Sequence, residues 1–225
     1  PVIPVFILDD AGEGNWAPGG ASRWWLHHAL AALAASLQAL GSRLVLARGD
    51  SGAELQRILR ATGATAVYWN RRYEPAAIAR DRSIKAGLAA AGTEVKSFNG
   101  ALLFEPHTIT NKQGKPFQVF TPFWRHCLTL PVVPPVRFAA KSLSVPAMWP
   151  DSMRLEELGL LPRLAWADEF PAHWTPGETG AQQRLKTFIA GPVDDYAARR
   201  NLPDTDGTSR LSPWLHWGEI GPRQI

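Results

Sequence analysis

Cysteine is nearly absent. Cys127 stands alone in 225 residues, which excludes an internal disulfide framework and fits a reducing cytoplasm. Its neighbour His126 raises the idea of a thiol–imidazole pair. Adjacent residues on a helix point in different directions, however, so Cys127 reads as a packing residue. No apolar run approaches the ~18 residues of a membrane span, and no signal peptide is visible. The chain has no GxGxxG, only Gly12-Glu13-Gly14, and no Walker loop, so the usual dinucleotide and triphosphate signatures are missing. No block of like charges concentrates the net charge of +4, which permits a polyanionic partner without demanding one. No cluster of residues with metal-ligand spacing stands out either.

Tryptophan, by contrast, is abundant. The ten tryptophans either fill a core or offer surfaces for stacking on rings, and composition does not separate the two. The length allows one large domain or two small ones, with a real core.

Along the chain, residues 2–8 form a continuous apolar run ending in Asp9-Asp10, which predicts a buried parallel strand. A Gly-rich loop follows, then a helix with Leu26, Leu30, Leu33, Leu37 and Leu40 on one face, stopped by Gly41. Further strands are predicted at 44–46, 66–69 and 94–98, with helices at 51–62 and 75–91 between them. Strands alternating with helices across short loops predict a Rossmann-like parallel α/β sheet with right-handed crossovers. Ligands sit beyond the carboxyl ends of such strands, where Asp9, Asp10, Asn70, Arg71, Arg72 and Asn99 fall. Residues 112–115 read as a turn inside an extended segment, and a helix opening at Thr121-Pro122 ends near Leu130. Residues 1–130 are thus expected to form an α/β domain. From 131 to 176 prolines are frequent and apolar periodicity is poor, which predicts an inter-domain connector. Helical spacing returns at 178–190 and 192–200, so 177–225 reads as the beginning of an all-α domain, halting in mid-helix at Ile225.

The stretch Gly207-Thr208-Ser209-Arg210-Leu211-Ser212-Pro213 carries the most chemistry. Ser212-Pro213 reads as a helix start, with a hydroxyl N-cap and proline at the first helical position. Two hydroxyls and an arginine lie just upstream, beside the unpaired amides of that helix end. This set suits a phosphate or pyrophosphate, and it equally describes an ordinary capped helix with an arginine on its surface.

The ordered blocks resemble the photolyase/cryptochrome family, of the class I type. The resemblance rests on Tyr196–Arg200 followed by GTSRLSPWLHWGEIGPRQ, with Asn70-Arg71-Arg72-Tyr73-Glu74-Pro75 and Phe117-Gln118-Val119-Phe120-Thr121-Pro122-Phe123-Trp124 upstream. Members of the family usually carry tyrosine or phenylalanine where Trp214 and Trp217 stand. The resemblance implies an antenna domain, a connector and an all-helical FAD-binding domain. It implies FAD contacts at Tyr196, Thr208, Ser209, Arg210, Leu211 and Ser212, and a DNA contact at Arg200, whose plain alternative is a solvated helix arginine. Glu105 is a candidate acceptor for an antenna pigment, either a folate (methenyltetrahydrofolate) or a deazaflavin, or else a surface carboxylate. Gly114, Lys115 and Pro116 stand where folate-using members tend to carry an amide–carboxylate pair. The implied activity is blue-light-driven repair of cyclobutane pyrimidine dimers in DNA by electron transfer from reduced flavin, in a cytoplasmic monomer with no metal. The family's opening strand is expected before Pro1, and the catalytic residues beyond Ile225, so the stretch by itself is expected to be inactive. A cryptochrome-type photoreceptor and a non-redox nucleotide-binding α/β module are the competing readings.

Overall fold

The computed structural model describes residues 1–135 and 140–225. Its α/β part runs β1 (Val5–Leu8), α1 (Gly20–Ala39), β2 (Val45–Arg48), α2 (Ser51–Thr62), β3 (Ala66–Asn70), α3 (Pro75–Ala90) and β4 (Glu94–Phe98). Local chemistry sets the element ends. Asp50 caps α2 by accepting from the Ala53 amide at 2.8 Å, and Gly63 closes it in the left-handed region at φ 65°. Pro75 opens α3, where its missing N–H costs nothing.

Both strand pairings are parallel. β1 pairs with β2 from Val5↔Val45 to Leu8↔Arg48, and β3 with β4 from Ala66↔Glu94 to Asn70↔Phe98. The alternating pattern led to an expectation of one sheet, whereas the described strands form two pairs with no ladder between β1 and β3. Alternation reports strand direction and crossover hand, but not which strands lie side by side.

One cluster of buried side chains holds Leu26, Leu30 and Leu37 of α1 against Leu8, Leu44 and Leu46. Leu33, expected on the same face, falls at the rim of the stripe and is 43% exposed. Residues of the proline-rich stretch complete this cluster: Leu158 and Leu160 are buried in it, with Leu143, Met153 and Leu155 packed alongside. The backbone is tied to β2, with the Met153 amide donating to the Leu46 carbonyl at 2.8 Å, and to the end of α1, with Leu143 donating to the Leu40 carbonyl at 3.0 Å.

Beyond a short helix α4 (Phe120–Cys127) and one turn α5 (Phe170–His173), the chain continues as α6 (Glu178–Ile189), α7 (Tyr196–Arg199) and α8 (Ser212–Trp217). Cys127 is buried and free. The second helical stretch is shorter than its spacing predicts, and α8 does not run on to Ile225. Gly218 ends it in the left-handed region at φ 73°, and Pro222–Gln224 form a 3-10 turn. A second cluster joins the two halves, with Trp24 and Trp25 of α1 packed against Ala181, Leu185, Leu211, Trp214 and Ile220. Trp25 and Trp214 meet edge to face at 5.0 Å between centroids, so these tryptophans are core. Among the described residues no helix is long and apolar enough to cross a membrane, and no His/Cys/Asp/Glu group is arranged to hold a metal.

Candidate functional site

The segment 206–212 is built from behind by α6. Arg184 spreads its guanidinium over it: Nε donates to the Ser209 carbonyl at 2.8 Å and Nη2 to the Thr208 carbonyl at 2.9 Å. Nη1 and Nη2 grip both oxygens of Asp206 at 2.9 and 2.6 Å. Arg210 also turns back to Asp206, at 3.1 Å. The Asp206 carboxyl is held below its ordinary range chiefly by the hydrogen bond from Arg184, against a smaller opposing effect of burial. Two guanidiniums on one carboxylate leave the segment with a surplus positive charge.

Gly207 ties this segment to α7. A Cβ there would lie 2.8 Å from the Arg199 carbonyl oxygen, so only glycine allows the approach. Tyr196, at the head of α7, sets its ring edge-on to Phe188 at 6.0 Å, and the Arg200 guanidinium lies 5.6 Å above the tyrosine ring. Arg200 is exposed and, among the described residues, makes no ion pair. Leu211 and Trp214, both buried, anchor the far end, and Trp214 Nε1 donates to the Thr175 carbonyl at 3.1 Å.

What this construction leaves over is a set of donors. Among the described residues, the hydroxyls of Thr208, Ser209 and Ser212 and the amides of Ser209 and Arg210 have no hydrogen-bond partner. Ser212 does not cap α8 as expected. It is the first helical residue, Leu211 occupies the cap position, and no side chain caps that end. The Ser212 hydroxyl is therefore free for another acceptor. An open cleft of about 470 Å³ begins at Ser212 and Pro213 and is walled by Trp25, Phe170, Trp174 and Trp217.

The carboxyl ends of the strands are largely committed to the protein itself. Asp9 is buried and accepts from the Ser51 amide and hydroxyl at 2.9 and 2.7 Å and from the Gly12 amide at 2.8 Å. Asp10 pairs with Arg23 and Arg48, Arg72 with Glu13, and Asn99 closes a loop onto Leu102. The Asn70 side chain lies against Gly100. Arg71 instead reaches Glu105, its Nε donating at 3.1 Å, and Tyr73 donates its hydroxyl to the same carboxylate oxygen at 2.9 Å. Burial pushes the Glu105 carboxyl up, but the bonds from Arg71 and Tyr73 outweigh it and hold it low. The other oxygen, Oε2, is buried without a hydrogen-bond partner among the described residues. Its nearest basic neighbour is His107, whose Nδ1 lies 3.4 Å away without forming a hydrogen bond, so the oxygen keeps acceptor capacity.

Sequence reasoning missed Arg184, Asp206 and Glu219. The first two are separated by 22 positions and carry no spacing signal. Glu219 accepts from Trp25 Nε1 at 2.8 Å and from the Gly177 amide, joining α1, the start of α6 and the end of α8. Nothing in a lone glutamate after glycine announces that.

The arrangement is thus a parallel α/β unit fused to helices, with an unsatisfied cluster of hydroxyl and amide donors beside a positive loop, chemistry that suits an anionic group. The comparisons with known proteins make the assignment narrower. Residues 1–140 match the family model described as DNA photolyase, and the chain belongs to that family. It is 45% identical to the deoxyribodipyrimidine photo-lyase of Agrobacterium fabrum over its full length, covering 47% of that protein. It is 38% identical to cryptochrome-2 of Arabidopsis thaliana, again over its full length and 38% of the relative's. The structure of a bacterial class III photolyase from Agrobacterium tumefaciens superposes with a TM-score of 0.93 at 45% identity, over all of this chain and 46% of that one. That neighbour is designated class III, where the motifs alone pointed to the class I type. The chain spans about half the length, or less, of these relatives.

Proposed function

We propose that this chain is the antenna half and the first flavin-binding wall of a deoxyribodipyrimidine photolyase, a carbon–carbon lyase that repairs cyclobutane pyrimidine dimers under blue light. The observation that carries the reading is the donor set left free at 208–212. Hydroxyls of Thr208, Ser209 and Ser212, with the amides of Ser209 and Arg210, suit the diphosphate of FAD, and the surplus guanidinium charge favours an anion there. Tyr196 and Leu211 would complete this wall. Bound reduced flavin supplies the light-driven electron that splits the dimer's cyclobutane ring. The protein's share is to hold the cofactor's phosphates, orient it against the tryptophan-lined cleft and exclude water. Arg200, exposed and without an ion pair, suits a DNA phosphate, a contact that positions without reading sequence.

Glu105 Oε2, without a hydrogen bond among the described residues though His107 is near, suits a hydrogen-bond donor on an antenna pigment, a folate such as methenyltetrahydrofolate or a deazaflavin. In this reading 1–130 is the antenna domain, 131–176 the connector and 177–225 the start of the FAD domain, in a cytoplasmic monomer. Identity of 36–38% to plant cryptochromes favours a second reading, a blue-light photoreceptor with the same pocket.

The deciding experiment irradiates the full-length flavin-loaded protein with dimer-containing oligonucleotide. Recovery of intact pyrimidines under blue light, and none in the dark, supports the photolyase reading. Stoichiometric flavin without repair transfers the assignment to the photoreceptor, and absence of flavin binding refutes both.

A further inference from the structure

We infer that Arg184 is the positioning residue of the phosphate cradle, setting its amides before any ligand arrives; the inference rests on the flavin reading above. The argument starts from peptide planarity. In a trans peptide the carbonyl and the following N–H point in opposite directions. Arg184 draws the Thr208 and Ser209 carbonyls to its own side, at 2.9 and 2.8 Å. The N–H groups sharing those two peptide planes belong to Ser209 and Arg210, and so they face away from Arg184. Among the described residues, neither of these two amides has a hydrogen-bond partner.

The backbone shows what this costs. Arg210 has φ 50°, making it the one non-glycine among the described residues in the left-handed region. A long side chain adopts that conformation only when its surroundings impose it. The imposing groups are the Arg184 fork on the preceding carbonyls and the Asp206 carboxylate, which takes Arg184 on one side and Arg210 Nε on the other. Successive amides turned to one side by a left-handed residue make an anion-binding concavity. Arg184 is thus a phosphate-site residue that touches no phosphate. Its side chain is 18% exposed, so the clamp works partly shielded from water.

The fork is the essential property. A guanidinium presents five donors in one plane, enough for two carbonyls and both oxygens of a carboxylate. A lysine ammonium keeps the charge and serves Asp206, but does not span all four acceptors. The cradle so organised selects ligands carrying a diphosphate.

The test uses full-length apoprotein and three probes: FAD, ADP, which carries only the diphosphate half, and riboflavin, which carries only the ring half. In Arg184→Lys, FAD and ADP affinities are expected to fall about tenfold or more, on the scale of a lost charge-assisted hydrogen bond. Riboflavin affinity and the melting temperature of the apoprotein are expected to hold. Equal losses for all three probes with a lowered melting temperature would reduce Arg184 to a structural residue and overturn the inference. So would unchanged ADP affinity. The double variant Ser209→Ala/Ser212→Ala separates the two levels. If it weakens FAD while Arg184→Lys does not, the flavin reading stands and the positioning role falls. If neither variant weakens FAD, both fall.

Discussion

Gly207→Ala isolates the contact that holds α7 to the cradle. The added Cβ would lie 2.8 Å from the Arg199 carbonyl oxygen and 2.9 Å from its carbon and Cβ. Two of these three atoms are backbone, so no flexible side chain can swing away. Relief requires α7 to retreat by about half an ångström. Over-packing of this kind costs roughly 1–3 kcal/mol. Loss of glycine's freedom in the unfolded chain returns about 0.4–1 kcal/mol, so destabilisation wins. For a unit of this size the net, about 1–2 kcal/mol, lowers the melting temperature by roughly 2–8 °C. Retreat of α7 also shifts Tyr196 relative to segment 208–212, so in the proposed flavin site affinity falls with stability, by about tenfold if the whole net cost appears in binding. The control is Gly191→Ala, where an added Cβ meets nothing within 4 Å. Thermal melts with and without FAD, plus flavin titration of the full-length apoprotein, read both quantities. If Gly207→Ala melts and binds flavin as Gly191→Ala does, the steric argument is refuted.

Two titrating groups supply further predictions. Burial raises the Asp9 carboxyl, but hydrogen bonds from Ser51 and Gly12 and the Arg80 charge outweigh it, so its folded pKa lies below the ordinary value. The stability it contributes is complete above pH ~4 and lost as pH falls through that lower value. Asp9→Asn should cost about 1–3 kcal/mol near neutrality and flatten the acid limb of urea midpoints measured from pH 7 to 3. Glu219 behaves oppositely. Burial, with some help from Glu178, raises its pKa despite the bonds from Trp25 and Gly177. Its stability contribution is therefore full below pH ~4.3 and lost as pH rises through the folded value. In Glu219→Gln that slope should vanish. Each carboxylate oxygen accepts from a different donor, and the glutamine NH2 would turn a donor toward one of them, so the variant should also lose about 1–3 kcal/mol, read by the same urea series.

The parallel α/β pattern was legible because β1 to β3 are short, mostly apolar runs, β4 alternates, and each helix between them is followed by glycine or opens on proline. Leu26, Leu30 and Leu37 were placed correctly by their spacing. Leu33 was not, since a period alone does not say how wide a buried stripe is. The pairing of β1 with β2 and of β3 with β4 was invisible, because adjacency depends on contacts between distant segments. At the site, the hydroxyl-rich segment 208–212 announced itself as an anion candidate. Its organiser did not. Arg184 acts through carbonyls 24 and 25 residues away, and a helical arginine looks the same in sequence whether it clamps a loop or waves in solvent. Ser212 misled for the opposite reason, since a Ser-Pro pair fits both the cap and the first helical turn, one residue apart.

The tryptophan cluster and Glu219 together make the junction between the α/β half and the helical half a weld. Trp25 packs against Trp174 and Trp214 and donates to Glu219, which also holds the start of α6. Resonance transfer between two pigments depends on the angle between their transition dipoles and on a steep power of their separation. Pigments seated on opposite sides of a flexible linker would sample many angles and transfer with a broad spread of efficiencies. A rigid seam removes that averaging. In the proposed photolyase, with a flavin and an antenna pigment bound, the same side chains that look like ordinary core would set the optical coupling between them, and softening the seam would show as a change in transfer efficiency with both pigments still bound.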